Sequence, residues 1–117
     1  VVTIERIGKA ARWSDAVAAH GLVFLSGHVA EETAGQSVLD QTREVLAQID
    51  DTLAQAGVTK AALVSVTIYL ADIGQIDQMN QAWDAWVDSD NPPARATVEA
   101  RLARPDWAVE ITAVAAR

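Results

Sequence analysis

Apolar and polar residues alternate in the opening segment TIERI, a period of two that predicts a short, half-buried strand. Further on, SDAVAAHGLVFLSGHV holds two apolar runs interrupted at His20 and Gly21. That dipeptide suits a tight turn, so the segment predicts a hairpin of residues 15–19 with 22–26. After the polar loop AEETAGQ the period changes. Ser37 precedes VLDQTREVLAQIDDTLAQAG, in which Leu39, Leu46, Ile49 and Leu53 share one helical face and Gly57 stands where a helix stops. The run LVSVTIYLAD is rich in β-branched residues and too short for an independent helix, which predicts a buried strand over 64–70. Asp72 and Gln75 have capping-box spacing, and Ile76, Met79, Trp83 and Trp86 then recur at intervals of three, four and three. A second amphipathic helix is expected there, ending before NPP because proline disfavours helix in the residue preceding it. Strands over 94–100 and 109–115 complete the chain.

Helices with a single apolar stripe must cover a sheet, and the simplest arrangement sets both on one face of the six strands. The expected class is α+β, built as a single domain over residues 1–117. The other face of the sheet then lacks a cover of its own. Burial of that face against further copies of the chain is the physical expectation.

Composition narrows the chemistry. Half of the 117 residues are hydrophobic and 21% are charged, the balance of a folded globular protein. The net charge of -7, with no run of lysine or arginine, disfavours nucleic acid as a partner. The absence of cysteine removes disulfides, thiolate metal sites and a thiol nucleophile together. No apolar run approaches membrane-spanning length and the first residues do not read as a secretory signal, so a cytoplasmic protein without membrane association is expected.

Two charged residues stand in strand contexts. Alternation places Arg95, Thr97 and Glu99 on one face of their strand and Ala94, Ala96 and Val98 on the other. Arg95 is either an edge-strand arginine paired with Glu99 or a neighbour, or an anion receptor whose planar fork holds a carboxylate in a fixed direction. Glu110, among Val109, Ile111, Ala113 and Val114, either bridges to Arg95 or Arg101 or orients and deprotonates a water. The two readings are linked, because a carboxylate beside an unpaired guanidinium is a weaker base until a ligand occupies the guanidinium. His20 and His28 share no ligand spacing with acids or each other, so no metal is expected. Ser26 has no nucleophile-elbow context and reads as a hydrogen-bonding group. Trp83 and Trp86 read as core, whereas Trp13, in the polar context ARWSD, is suited to wall a pocket or to enter a subunit contact. GHVAEETAG does not have the register of a phosphate loop.

The segment PARATVEARLARPDWAVEI resembles the C-terminal signature of the reactive intermediate deaminase (RidA/YjgF) family, with Pro93, Arg95, Val98, Leu102, Val109, Glu110 and Ile111 in place. GLVFLSGHV resembles the family's strand ending in Ser-Gly, QTREVLAQIDDTLAQAG its first helix, VTIYLAD its central strand and MNQAWDAW its Asn-containing second helix. The resemblance implies a chorismate-mutase-like protomer with a mixed sheet, assembled as a homotrimer with pockets between subunits. It implies hydrolysis of enamine and imine intermediates of the 2-aminoacrylate type to a 2-keto acid and ammonia, without a cofactor. Arg95 would hold the substrate carboxylate and Glu110 would position water, while Ser26, Gly27, Asn80 and Thr97 would line the pocket. Trp13 stands where many relatives carry tyrosine, and Thr97 where many carry cysteine. The first change implies a more apolar pocket. The alternative is a non-catalytic trimer that binds a small carboxylate and has a regulatory role. A ribonuclease role fits poorly with the acidic charge.

Overall fold

The computed structural model describes residues 2–117. Six strands form one sheet in the order β1-β2-β3-β6-β4-β5: β1 Glu5–Lys9, β2 Ser14–Ala19, β3 Leu22–Val29, β4 Leu63–Leu70, β5 Ala94–Glu99 and β6 Val109–Ala116. Every neighbouring pair is antiparallel except β4 and β5. That parallel pair needs a crossover, which helix α2 (Ile76–Trp86) supplies, while α1 (Val38–Gln55) links β3 to β4. The sheet is therefore mixed and the architecture α+β.

Local chemistry explains the element ends. His20 and Gly21 both have positive φ, 53° and 76°, as a type I′ turn requires, and they join β2 to β3 with Ala19 opposite Leu22. Helix α1 starts at Ser37, whose side chain accepts from the Asp40 amide, and ends at Gly57 with φ 79°. There the Gly57 amide reaches the Ala54 carbonyl and the Val58 amide reaches that of Leu53, a complete Schellman closure.

Three expectations shift in detail. The first strand covers 5–9 rather than 3–7, because pairing with β2 across the 10–13 turn sets its register and only Ile7 reaches the core. Asp72 caps a short 3₁₀ turn by accepting from the Gly74 amide, and the Gln75 side chain donates to Asp72 instead of closing a capping box. Helix α2 stops at Trp86, well before the prolines, where Val87 turns extended and Asp88 starts a turn of its own.

The core lies between the sheet and both helices. Val23, Leu25, Val66, Ile68, Val109 and Ile111 point at Val45, Leu46, Ile49 and Leu53 of α1 and at Met79 and Trp83 of α2, all at most 7% exposed. Leu39 and Trp86 flank this cluster and are only partly buried. Gln41, 1% exposed, is tied from all sides: its amide donates to the carbonyls of Gln36 and Asp106, and its oxygen accepts from the Ala108 amide. The loop entering β6 is thereby fixed to α1. No helix of the described residues is long and apolar enough to cross a membrane. The shortest dimension, 21 Å, is that of two layers. The sheet's helix-free face carries Phe24, Thr67, Thr112 and Val114 around a shallow hollow of about 240 Å³, with Phe24 46% exposed.

Candidate functional site

Arg95 enters on β5, an edge strand that starts after Pro92 and Pro93 and pairs with β4 alone. Its register partner is Val66, whose side chain is buried under the helices, so Arg95 points to the helix side as well. The guanidinium lies over the Trp83 ring, 5.2 Å from its centroid, and Nη1 donates to Asn80 Oδ1 at 2.8 Å. Among the described residues the ion pairs are Arg43–Asp40, Arg104–Asp106 and Arg117–Glu5. Arg95 takes part in none of these ion pairs. Glu99, two alternations along the same face, instead accepts from the Ile73 amide at 3.0 Å. Most of the donors on the fork are left for another acceptor. Thr97, between these two, has a buried Oγ1 without a hydrogen-bond partner.

Glu110 occupies the other side. It is paired with Tyr69 of β4, three residues from Val66, so its side chain leaves the sheet on the helix-free face. Neither Arg95 nor Arg101 pairs with it. The half-buried carboxylate lies over Gly27, where any added Cβ would overlap Glu110 Oε2 and come 2.9 Å from Cδ. Gly27 is thus required by close approach, with a bulge around it: Leu25 is opposite Ala113 and His28 opposite Ile111, so Ser26 and Gly27 together face the single residue between. The Ser26 hydroxyl donates to the Ser14 carbonyl. A cleft of about 360 Å³ opens beside Gly27, with Trp13, His28, Glu31, Gln48 and Thr52 in its walls. Trp13 is 59% exposed there.

The sequence-derived residues therefore form two groups. Arg95, Asn80 and Thr97 gather at the β5 edge, and Trp13, Ser26, Gly27 and Glu110 gather around the β3 bulge. A single copy does not bring Arg95 and Glu110 onto one face.

Sequence reasoning missed the polar stripe of α1. Glu44, Gln48 and Thr52 recur every four residues beside the apolar stripe, and that spacing was the available signal. The Glu44 carboxylate accepts from the amides of Glu31, Glu32 and Thr33 at 3.0, 3.2 and 2.8 Å, from the Thr33 hydroxyl at 2.7 Å and from Gln48 Nε2 at 2.9 Å. Burial opposes its charge, but the Thr33 hydroxyl and the three loop amides outweigh that penalty and hold the carboxyl below its ordinary value of 4.5. Gln48 in turn donates to the Val29 carbonyl, at the residue opposite Glu110. Among the described residues no group of three or more histidine and carboxylate side chains is placed to hold a metal ion.

Comparison with known proteins agrees across the chain. The sequence model of the family described as Endoribonuclease L-PSP matches residues 3–117. A RutC family protein of Haemophilus influenzae is 46% identical over 97% of this chain and 98% of its own length, and the RutC family protein YoaB of Escherichia coli is 42% identical over 98% and 99%. The crystal structure of a YjgF family member from Neisseria meningitidis superposes with a TM-score of 0.90 at 51% identity, covering 98% of this chain and 95% of that one. With sequence and fold in agreement, the chain belongs to the RutC/YjgF family, the family of the Endoribonuclease L-PSP model.

Proposed function

We propose that the protein hydrolyses short-lived imines bearing a carboxylate, including those formed from enamines of the 2-aminoacrylate type, to 2-keto acids and ammonia. The observation that carries this reading is the Arg95 fork, aimed by Asn80 and Trp83 yet lacking an acidic partner. A guanidinium held in this way accepts a carboxylate bidentately and orients the adjacent C=N carbon. Glu110 takes a proton from the attacking water as the oxygen joins that carbon. Glu110 then passes that proton to the nitrogen, the carbinolamine hydroxyl gives up its own proton to the same nitrogen as the C–N bond breaks, and ammonia leaves with the keto acid behind. One acid–base group is worth roughly a hundredfold to ten-thousandfold, a sufficient increment for a bond that water already cleaves unaided.

Because Arg95 and Glu110 leave the sheet in opposite directions, the reading requires copies of the chain to complete one another. In a homotrimer, the β5 edge of one protomer would meet the Gly27 bulge of the next, and the Phe24 face would supply the contact. Trp13 would wall the pocket with indole where relatives offer a phenol, favouring an apolar substituent on the imine. The charge of -7, with no basic stripe, gives RNA little to hold, so the endoribonuclease description of the family is not adopted. The test generates an imine in situ with an amino-acid oxidase and follows keto-acid release. Arg95→Ala is expected to abolish the acceleration at unchanged sedimentation behaviour. Equal rates in variant and parent would refute the assignment, and a saturable carboxylate ligand without turnover would establish a binding protein instead.

A further inference from the structure

The bulge that brings Gly27 under Glu110 is held in place by His28, a residue to which neither the fold nor the proposed reaction assigns a part. Its Nδ1 lies 2.6 Å from the carbonyl oxygen of Ser26, and its Nε2 lies 2.9 Å from Thr52 Oγ1 on α1. A carbonyl oxygen only accepts, so Nδ1 carries the hydrogen. In the neutral ring Nε2 is then the acceptor, and the Thr52 hydroxyl, on a residue 5% exposed, donates to it. The ring thus spans from the first bulge residue to the helix above the sheet.

Register shows what this bridge prevents. Without the extra residue, Gly27 would lie opposite Ile111 and His28 opposite Glu110, and every side chain from there to the strand's end would change face. His28 would leave α1, and Glu110 would lose the bare backbone beneath its carboxylate. Gln48, through the Val29 carbonyl, holds the next residue in the same sense. We propose that His28, in its Nδ1–H tautomer, is a positioning residue that locks the Ser26–Gly27 bulge and so fixes the Glu110 carboxylate. The consequence for turnover rests on the reading of Glu110 given above; the consequence for the bulge does not.

Two amide replacements separate the ring's nitrogens. His28→Asn keeps a donor near the Nδ1 position, within reach of the Ser26 carbonyl. His28→Gln puts its amide near the Nε2 position and leaves that carbonyl without its donor. Amide hydrogen exchange at Gly27 and His28, read in both variants and the parent at temperatures well below unfolding, is expected to quicken in the Gln variant and much less in the Asn variant. The imidazole ¹⁵N resonances of the parent are expected to report the Nδ1–H form. In the imine assay kcat is expected to fall roughly ten- to a hundredfold for His28→Gln, the scale of a misplaced reacting group, with KM nearly unchanged because Arg95 is untouched. Partial recovery in His28→Asn supports the lock. Equal exchange in the two variants, or an Nε2–H resonance, overturns it. Should the parent release no keto acid, the deaminase reading fails, and the exchange and resonance data still decide the role of His28.

Discussion

Replacing Glu44 by glutamine tests how the cleft's outer loop is held. The parent carboxylate gathers five donors, three of them successive backbone amides of Glu31, Glu32 and Thr33. Glutamine keeps one acceptor oxygen and turns an NH₂ group toward the remaining donors. A hydrogen bond to a charged group contributes about 1.5–3 kcal/mol, but Glu31 and Glu32 are exposed and water substitutes for much of what they lose, so a net cost of about 2 kcal/mol is expected. For a chain of this size that corresponds to a fall of roughly 8 °C in the unfolding midpoint, compared at one protomer concentration. The pH dependence has a definite sign. The Glu44 carboxyl is depressed below 4.5 in the folded state, so its stabilisation is fully present above the unfolded value and disappears as pH falls through the lower folded value. Parent and variant should differ by a constant amount from neutrality down to about pH 5, and the gap should narrow as pH falls through the depressed folded value. Midpoints that coincide at neutral pH, or a gap equally wide in acid, would show that the carboxylate's charge does not anchor the loop.

Two further perturbations address the bulge and the proposed base. Gly27→Ala sets a methyl group where the Glu110 carboxylate lies, and is expected to reduce kcat by at least tenfold while the secondary structure measured by circular dichroism is retained; a fully active variant would mean that the carboxylate's seat is immaterial. Glu110→Gln is expected to slow turnover more than it weakens the affinity for a small carboxylate such as pyruvate, measured by calorimetry, and the reverse pattern would recast Glu110 as structural.

Both helices and all six strands were legible: the helices, β3, β4 and β6 because each buries a regular apolar stripe, and β1, β2 and β5 from shorter patterns, which bury Ile7 in β1, Ala16 and Ala18 in β2 and nothing fully in β5. The sequence was less informative wherever a glycine does something other than end an element. Gly27 read as the close of β3, but there it is part of a bulge, and the strand continues to Val29. Arg95 and Glu110 were recognisable as charged residues in apolar strands, yet their opposite directions emerge only once β5 and β6 are both paired with β4, a long-range register that no local window contains. Gln41, Thr52 and Glu44 escaped for a related reason. Their partners are distant in the chain, a loop 65 residues away for Gln41, the 31–33 loop for Glu44 and His28 of β3 for Thr52, and the four-residue spacing of Glu44 and Thr52 does not name them. His28 was set aside for lack of metal-ligand spacing, a criterion blind to a ring that bridges two backbone layers.

The divergent aim of Arg95 and Glu110 has a kinetic corollary. An isolated protomer could capture an organic acid or lend a base, but not both to one molecule. If assembly alone unites the two functions, specific activity should collapse on dilution below the dissociation constant of the assembly. An Arg95-deficient chain mixed with a Glu110-deficient one should then regain a fraction of the parental rate, set by the statistics of which subunits become neighbours.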